Sequence, residues 1–452
     1  MFGPDALFAD RFGTPEMFEI FSDRRMVQGW LDAEVALACS EAALGLIPDE
    51  AAQIIRSKAD ASQFDIETLR EGIATTDHPL VSTVWKFAEA CGEEAGRYVH
   101  WGATTQDIMD TGLVLQLRDA LFVVGSRLDA VMGCAAALAE SERATVMAGR
   151  THGQQALPIT FGLKAGNWLD ELLRHDLRMR QLRARLLVGQ LGGAAGTLAA
   201  LGPNGLAVQR GFCEYLGLGV PVVAWHTARD SLAELASVLS MIAATCSRVA
   251  GEVVQLQRTE IAELEERQDA GNVGSSTMPH KRNPMTAEGI IATERLVRRS
   301  VDTALGGMSG EHERDMSKWQ SEWLWIPELL VLVDSTLART KEVLSGLRVR
   351  PDRMIENLGL TEGLLMSEAV MIALGEQLGR QRAHDLLHEM AMEVAEGDQS
   401  FESTLLASPA VLDAVGGPDR LKELLDPAGY LGATDEMIDD VLRRYRARPD
   451  DA

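Results

Sequence analysis

The sequence predicts an all-α protein built on long helices, and three observations predict it. Fifteen prolines are spread over 452 residues, and proline breaks helix interiors, so the gaps between them mark where long helices fit. No proline interrupts the stretches from Pro79 to Pro158, Pro158 to Pro203, Pro221 to Pro279, Pro284 to Pro327 or Pro351 to Pro409. In the third of these, Leu232, Leu235, Leu239, Ile242, Cys246, Val249, Val253 and Leu256 recur at steps of three and four. That spacing makes one apolar stripe on a helix and does not fit strand alternation. Aromatic residues are only 5% of the chain and β-branched runs are few, which argues against a core built from sheets.

The stripe defines a helix from about Ser231 to Glu265, capped by Asp230 or Ser231. At 1.5 Å per residue such a helix spans about 50 Å, a length met in bundles. The segments from about Leu113 to Ala148, rich in Leu, Val and Ala, and from Thr286 to Leu305 read the same way. Three domains follow from the punctuation. Residues 1–111 carry short elements broken by Pro15, Pro48 and Pro79, residues 112–350 form the long-helix bundle, and residues 351–452 form a helical domain with an Arg/Asp-rich tail expected to fray.

Composition narrows the function. Hydrophobic residues make up 46% and charged residues 24% of the chain, the balance of a globular protein and not of a disordered one. Lys and Arg number 43 against 67 Asp and Glu, a net charge of −24, which repels polyphosphate backbones and anionic lipid surfaces. Neither a nucleic-acid nor a membrane partner is expected. Cys39, Cys91, Cys134, Cys213 and Cys246 are far apart with no C-x-x-C pair, as suits buried thiols in a reducing compartment. No basic-then-apolar leader opens the sequence and no segment approaches about 18 uninterrupted apolar residues, so a cytoplasmic location is expected. His384 and His388 are spaced i, i+4, but the order is not H-E-x-x-H and no third ligand is indicated, so no metal is expected there.

The densest chemistry lies at Gly271 to Pro284, GNVGSSTMPHKRNP. Glycines let successive backbone N–H groups face an anion, Lys281 adds charge, Asn283 adds amide donors, and Ser275 or Ser276 offers a hydroxyl. A carboxylate pocket with a base is one reading, and a polar surface loop is the other. Two distant strings join it. In GATTQDIMDT, from Gly102 to Thr111, Thr104, Thr105 and Gln106 offer hydroxyl and amide donors, or else cap a helix starting near Asp107. In GRTHGQQALPITFG, from Gly149 to Gly162, Thr151 and His152 stand together, and Glu288 follows Lys281 by seven residues.

GSSTMPHKRNP resembles the signature loop of the fumarase/aspartase superfamily, G-S-S-x-x-P-x-K-x-N-P, at every defining position. The likeness extends over essentially the whole chain. It implies an all-α, three-domain fold whose central bundle assembles into a twenty-helix tetramer core. It also implies active sites shared between subunits, and anti β-elimination that usually releases fumarate. On this resemblance Ser275 is the base, Lys281 and loop N–H groups favour its alkoxide, and Asn283, Thr104, Thr105, Gln106 and Thr151 hold a small di- or tricarboxylate substrate. His152, paired with Glu288, binds substrate or assists the leaving group. No metal or organic cofactor enters this scheme.

Within the superfamily, FSDRRMVQGWLDAEVALACSEAALGLIP, GATTQD and LLDPAGYLGATDEMIDDVL resemble the 3-carboxy-cis,cis-muconate cycloisomerase branch. Cycloisomerases of that branch commonly carry Trp where this chain has His152. Glu313-Arg314-Asp315-Met316-Ser317 resembles the ERDxS of adenylosuccinate lyases, and His78 lies near a substrate-contacting His of those enzymes, so both Arg314 and His78 join the candidate substrate-binding residues. A turn-forming His before Pro79 is the competing reading. The resemblance therefore implies a lyase that cleaves a C–N bond in a substituted succinate. Cycloisomerisation is second, and adenylosuccinate lyase or a non-catalytic structural member lies further off.

Overall fold

A computed structural model gives the structure of residues 3–268, 277–278, 280–397 and 399–449. Long helices dominate, as the proline spacing predicts: α1 (Asp23–Ala43), α2 (Thr105–Ser141), α3 (Phe161–Leu186), α4 (Asp230–Leu256), α5 (Met285–Gly307) and α6 (Met316–Gly346). Shorter helices close the chain, among them α7 (Ser367–Leu378), α8 (Arg380–Glu396) and α9 (Thr434–Arg446). The strands among the described residues form two antiparallel pairs, β1 (Val146–Thr151) with β2 (Gln154–Thr160) and β3 (Leu264–Glu265) with β4 (Arg348–Val349). The protein is all-α.

Three helices differ in their bounds from the sequence reading. α4 starts at Asp230 but stops at Leu256, nine residues before Glu265. Beyond the apolar stripe the chain turns through Ala262, at φ 53°, and Glu263 returns its N–H to the Leu256 carbonyl. The second predicted helix begins earlier, at Thr105, and ends at Ser141, because Val146 onward pairs as β1. Pro327 lies inside α6 and does not end it; a proline removes one hydrogen bond from the ladder, which the long helix absorbs. Ser231 lies inside the first turn of α4, past the cap position, and its hydroxyl donates to the Arg185 carbonyl.

α2 and α4 are long and apolar enough, by length and composition, to cross a membrane, with mean hydropathy of 1.6 and 1.4 over 18 residues. Each carries a charged residue paired within the protein: Arg127 on α2 bonds the buried Asp334 at 3.1 Å, and Glu252 on α4 accepts from Lys164 at 2.7 Å.

Packing groups the chain into two units. The first takes residues 1–129, 174–246 and 289–339, the second residues 130–173, 247–288 and 340–452. In the first, Trp30, Leu31, Phe87, Ile108 and Phe212 belong to one buried cluster. There α1 crosses the start of α2 backbone to backbone. A Cβ on Gly29 would lie 3.1 Å from the Gly112 carbonyl oxygen, and one on Gly112 would lie 2.8 Å from Trp30 Cδ1. Only glycines allow that approach, and it fixes the end of α2 that carries Thr105 and Gln106. In the second unit, Val370, Leu374, Leu387, Phe401 and Leu405 pack one cluster, while Ala148 on β1 packs with Leu358, Leu365 and Met366.

Candidate active site

The first unit places Thr104, Thr105 and Gln106 at the N-terminus of α2. Asp107 organises this turn. Its carboxylate accepts from the Thr104 N–H at 3.0 Å, from the Gly192 and Gly193 N–H groups at 2.9 and 2.8 Å, and from His226 Nε2 at 2.7 Å. Each of its two oxygens thus accepts two hydrogen bonds. One turn on, Asp110 receives both ends of the Arg229 guanidinium, at 2.8 and 3.0 Å, and the Trp319 indole N–H at 2.9 Å. Arg229 also binds Glu322, so one buried cation serves two buried carboxylates. Burial pushes the Glu322 carboxyl upward despite that contact.

Thr-Thr-Gln stands at the helix start, as the cap reading expects. Asp107 bonds the backbone of Thr104, half of a capping box, and this leaves the Thr104 hydroxyl to accept from Arg314 Nη1 at 2.6 Å. Arg314 Nε donates to Gln106 Oε1 at 3.3 Å. Thr104 and Gln106 therefore share one corner with Arg314, 210 residues from Thr104. His78 lies near it: its pKa is lowered by burial first, then by the charges of Arg314 and His100. The Leu80 N–H points to His78 Nδ1 at 3.4 Å, the turn geometry expected before Pro79.

His100 escaped the sequence reading. It sits at φ 62°, and Glu34 on α1 takes both its backbone N–H at 2.9 Å and its Nδ1 at 2.6 Å. Burial disfavours the imidazolium, but the Glu34 charge and hydrogen bond outweigh it and raise the pKa above the ordinary value. Glu34, Asp107, Asp110, His226, Arg229 and Glu322 were also missed. Their only sequence signal is a scatter of buried-type charges in apolar helices, together with Gly192-Gly193.

The second unit places Thr151 and His152 at the tip of the β1–β2 hairpin. His152 and Gly153 form the turn with φ of 52° and 76°, between paired Thr151 and Gln154. Two consecutive positive φ values make a type I′ turn, and a His there is held against its own preference by about 1 kcal/mol. The hairpin is clamped just behind its tip: Arg150 binds the buried Glu263 with both nitrogens, at 2.9 and 2.6 Å, and Asn357 Nδ2 adds a third bond at 2.8 Å. The side chain of His152 is exposed.

Lys281, Asn283 and Glu288 precede and open α5. Its first turn is capped from a distance, since Glu266 accepts from the Thr286 and Ala287 N–H groups, both at 2.9 Å. Lys281 and Glu288 are exposed. Among the described residues no hydrogen bond joins Glu288 to His152, the pair implied by the resemblance. Ser275, the implied base, and Ser276 lie outside the described residues. His384 and His388 stack at 6.1 Å on α8, and among the described residues no third metal-ligating side chain joins them.

In the first unit, hydroxyls, a guanidinium and imidazoles near one helix end can hold an anion; in the second, His152 and Lys281 stand exposed on separate turns. Comparison with known proteins bears on this. A family model described as Lyase matches residues 10–297, and one described as adenylosuccinate lyase C-terminus matches residues 363–441. An N-acetyl-S-(2-succino)cysteine lyase of Dickeya dadantii is 41% identical over 97% of this chain and 96% of its own. A 3-carboxy-cis,cis-muconate cycloisomerase of Pseudomonas aeruginosa is 42% identical over 98% of this chain and 96% of its own. The crystal structure of the 3-carboxy-cis,cis-muconate lactonizing enzyme from Pseudomonas putida superposes with a TM-score of 0.92 at 40% identity, covering 97% of this chain and 99% of that one.

Proposed function

Because the chain belongs to the fumarase/aspartase superfamily of lyases, we propose that it cleaves a carbon–heteroatom bond in a 2-substituted succinate by β-elimination and releases fumarate. The base takes a proton from the carbon beside a carboxylate, fixed donors stabilise the aci-carboxylate, and the C–X electron pair then leaves with the heteroatom. Ser275 is assigned as base, with Lys281 favouring its alkoxide; an unassisted serine hydroxyl is far too weakly acidic for this near neutrality. His152 receives a substrate carboxylate or hands a proton to the departing atom, with Glu288 as its partner.

The observation that carries elimination is His152 itself, an imidazole kept at a positive-φ hairpin tip beside Thr151. A lactonising enzyme adds the substrate's own carboxylate across a double bond, so nothing departs and no such group is required. For the leaving atom, sulfur is preferred to the nitrogen expected from the sequence, on the likeness to N-acetyl-S-(2-succino)cysteine lyases. Cycloisomerisation is the second reading, supported by the equally similar cycloisomerases.

We further propose a homotetramer that brings His152 and Glu288 together across copies. Phe122, Leu177 and Met241, exposed at 69%, 54% and 40% on the long helices of one chain, support it, since apolar contact must offset a charge of −24 per subunit. The test offers an S-(2-succino) thioether, an N-succinyl amine and carboxymuconate to the purified protein. Fumarate from either succinyl compound supports the proposal. Lactone with no fumarate from any of them overturns it, and a light-scattering mass of one active chain overturns the tetramer.

A further inference from the structure

The resemblance makes Gln106 a substrate ligand, but its amide is already committed. Gln106 is 1% exposed. Its Nε2 donates inward to Asp110 Oδ2 at 3.2 Å and to the His226 carbonyl at 3.0 Å, which uses both amide hydrogens. Its oxygen accepts from Arg314 Nε. No donor is left to offer a carboxylate. Arg314 uses Nε and one Nη1 hydrogen on Gln106 and Thr104, and a guanidinium has five hydrogens, so three remain. The Thr104 hydroxyl accepts from Arg314 and keeps its own proton to donate.

We propose that Gln106 is a positioning residue, and that a substrate carboxylate at this corner is received by Arg314 together with the Thr104 hydroxyl. The supports form a chain of contacts. Arg314 rests on Gln106, Gln106 on Asp110, and Asp110 on Arg229 and the Trp319 indole. Arg229 in turn binds Glu322, and Trp319 and Glu322 both lie on α6, which begins two residues after Arg314. The loop bearing the guanidinium is thereby tied to the helix end bearing the threonines. An Arg fork fixed at Nε and Nη1 presents its remaining hydrogens in a set plane, whereas a lysine in its place keeps charge and loses direction.

This rests on the proposed succinyl-lyase function, and the experiment separates the two. Fumarate binding, read by equilibrium titration, and steady-state kinetics on the wild type's best succinyl substrate are measured first. Failure of the wild type to bind fumarate and to turn over any succinyl compound sinks the functional reading and this role with it. With an active wild type, Gln106→Met is expected to raise KM about ten- to a hundredfold, the worth of a lost bond to a charged group. Arg314→Lys is expected to do the same.

In the Arg314→Ala background, guanidinium ion added to the assay is expected to restore turnover while Gln106 is present and to fail once Gln106→Met is added. The Gln106→Met and Arg314→Ala effects are expected to be strongly non-additive. If they add, Gln106 acts on substrate independently of Arg314; if Arg314→Lys matches the wild type, no oriented guanidinium receives the carboxylate. Either result overturns the assignment. The Arg314 variants alter a partly exposed loop side chain, so they decide the matter even if Gln106→Met fails to fold.

Discussion

The turn from Thr104 to Asp110 and the turn at His152 are both built from short polar strings, yet they are held in opposite ways. In the first, side chains are fixed by other side chains: Asp107 collects four hydrogen bonds, and Asp110, Arg229 and Glu322 form a buried charged knot behind it. In the second, the strands are fixed by Arg150, Glu263 and Asn357, while the imidazole stands in solvent. The first turn is thus organised by side chains of its own unit. The second presents a fixed backbone and an exposed imidazole.

Breaking the buried knot should give the largest loss of stability. Arg229→Met leaves Asp110 and Glu322 buried without their cation, and removing one member of such a set costs about 3–5 kcal/mol. A fall in Tm that an equal change at the hairpin clamp does not match would support the contrast. An unchanged Tm would show the knot to be hydrated.

At the hairpin the expected signs diverge. His152→Gly relieves a positive-φ strain of about 1 kcal/mol, so Tm should hold or rise slightly while fumarate release falls by orders of magnitude. His152→Trp should likewise abolish release. If either variant keeps most of its turnover, the exposed ring is a bystander. Ser275→Ala should lower turnover by a similar factor with assembly intact, and Ser276→Ala should lower it less. The reverse order would move the base by one residue.

A smaller, pH-dependent effect sharpens the picture of the first unit. Glu41 on α1 is 0% exposed, and among the described residues neither of its carboxylate oxygens has a hydrogen-bond partner. Burial, then the charge of Glu34, push its carboxyl from 4.5 up to about 8. A raised pKa means the folded state holds the proton that the unfolded state gives up. The stability tied to that proton is complete below pH 4.5 and is lost as pH rises to about 8. Glu41→Gln should therefore match the wild type in acid and melt higher than it near pH 8. Parallel melting curves across that range would show that Glu41 finds a partner in solution.

Much of this was legible in the residues. Proline spacing and the Leu232 to Leu256 stripe placed the long helices, because a 3.6-residue period and a missing N–H act locally. The signature strings named Thr104, Thr105, Gln106, Thr151, His152 and Lys281 because their chemistry is compact in sequence. Helix ends were less legible. α4 stops at Leu256 because Glu263 must reach Arg150, more than a hundred residues away.

The sequence by itself determined the all-α class, the family, and which residue types could hold a carboxylate. Tertiary structure decided what each one does there. Gln106 reads as a donor until Asp110 and the His226 carbonyl are seen to take both its hydrogens, and His100 reads as an ordinary histidine until Glu34, 66 residues away, grips its ring and backbone. A side chain's identity fixes how many hydrogen bonds it can make. Only the fold sets which partners stand within 3 Å to use them, and burial then makes those partnerships too costly to exchange for others.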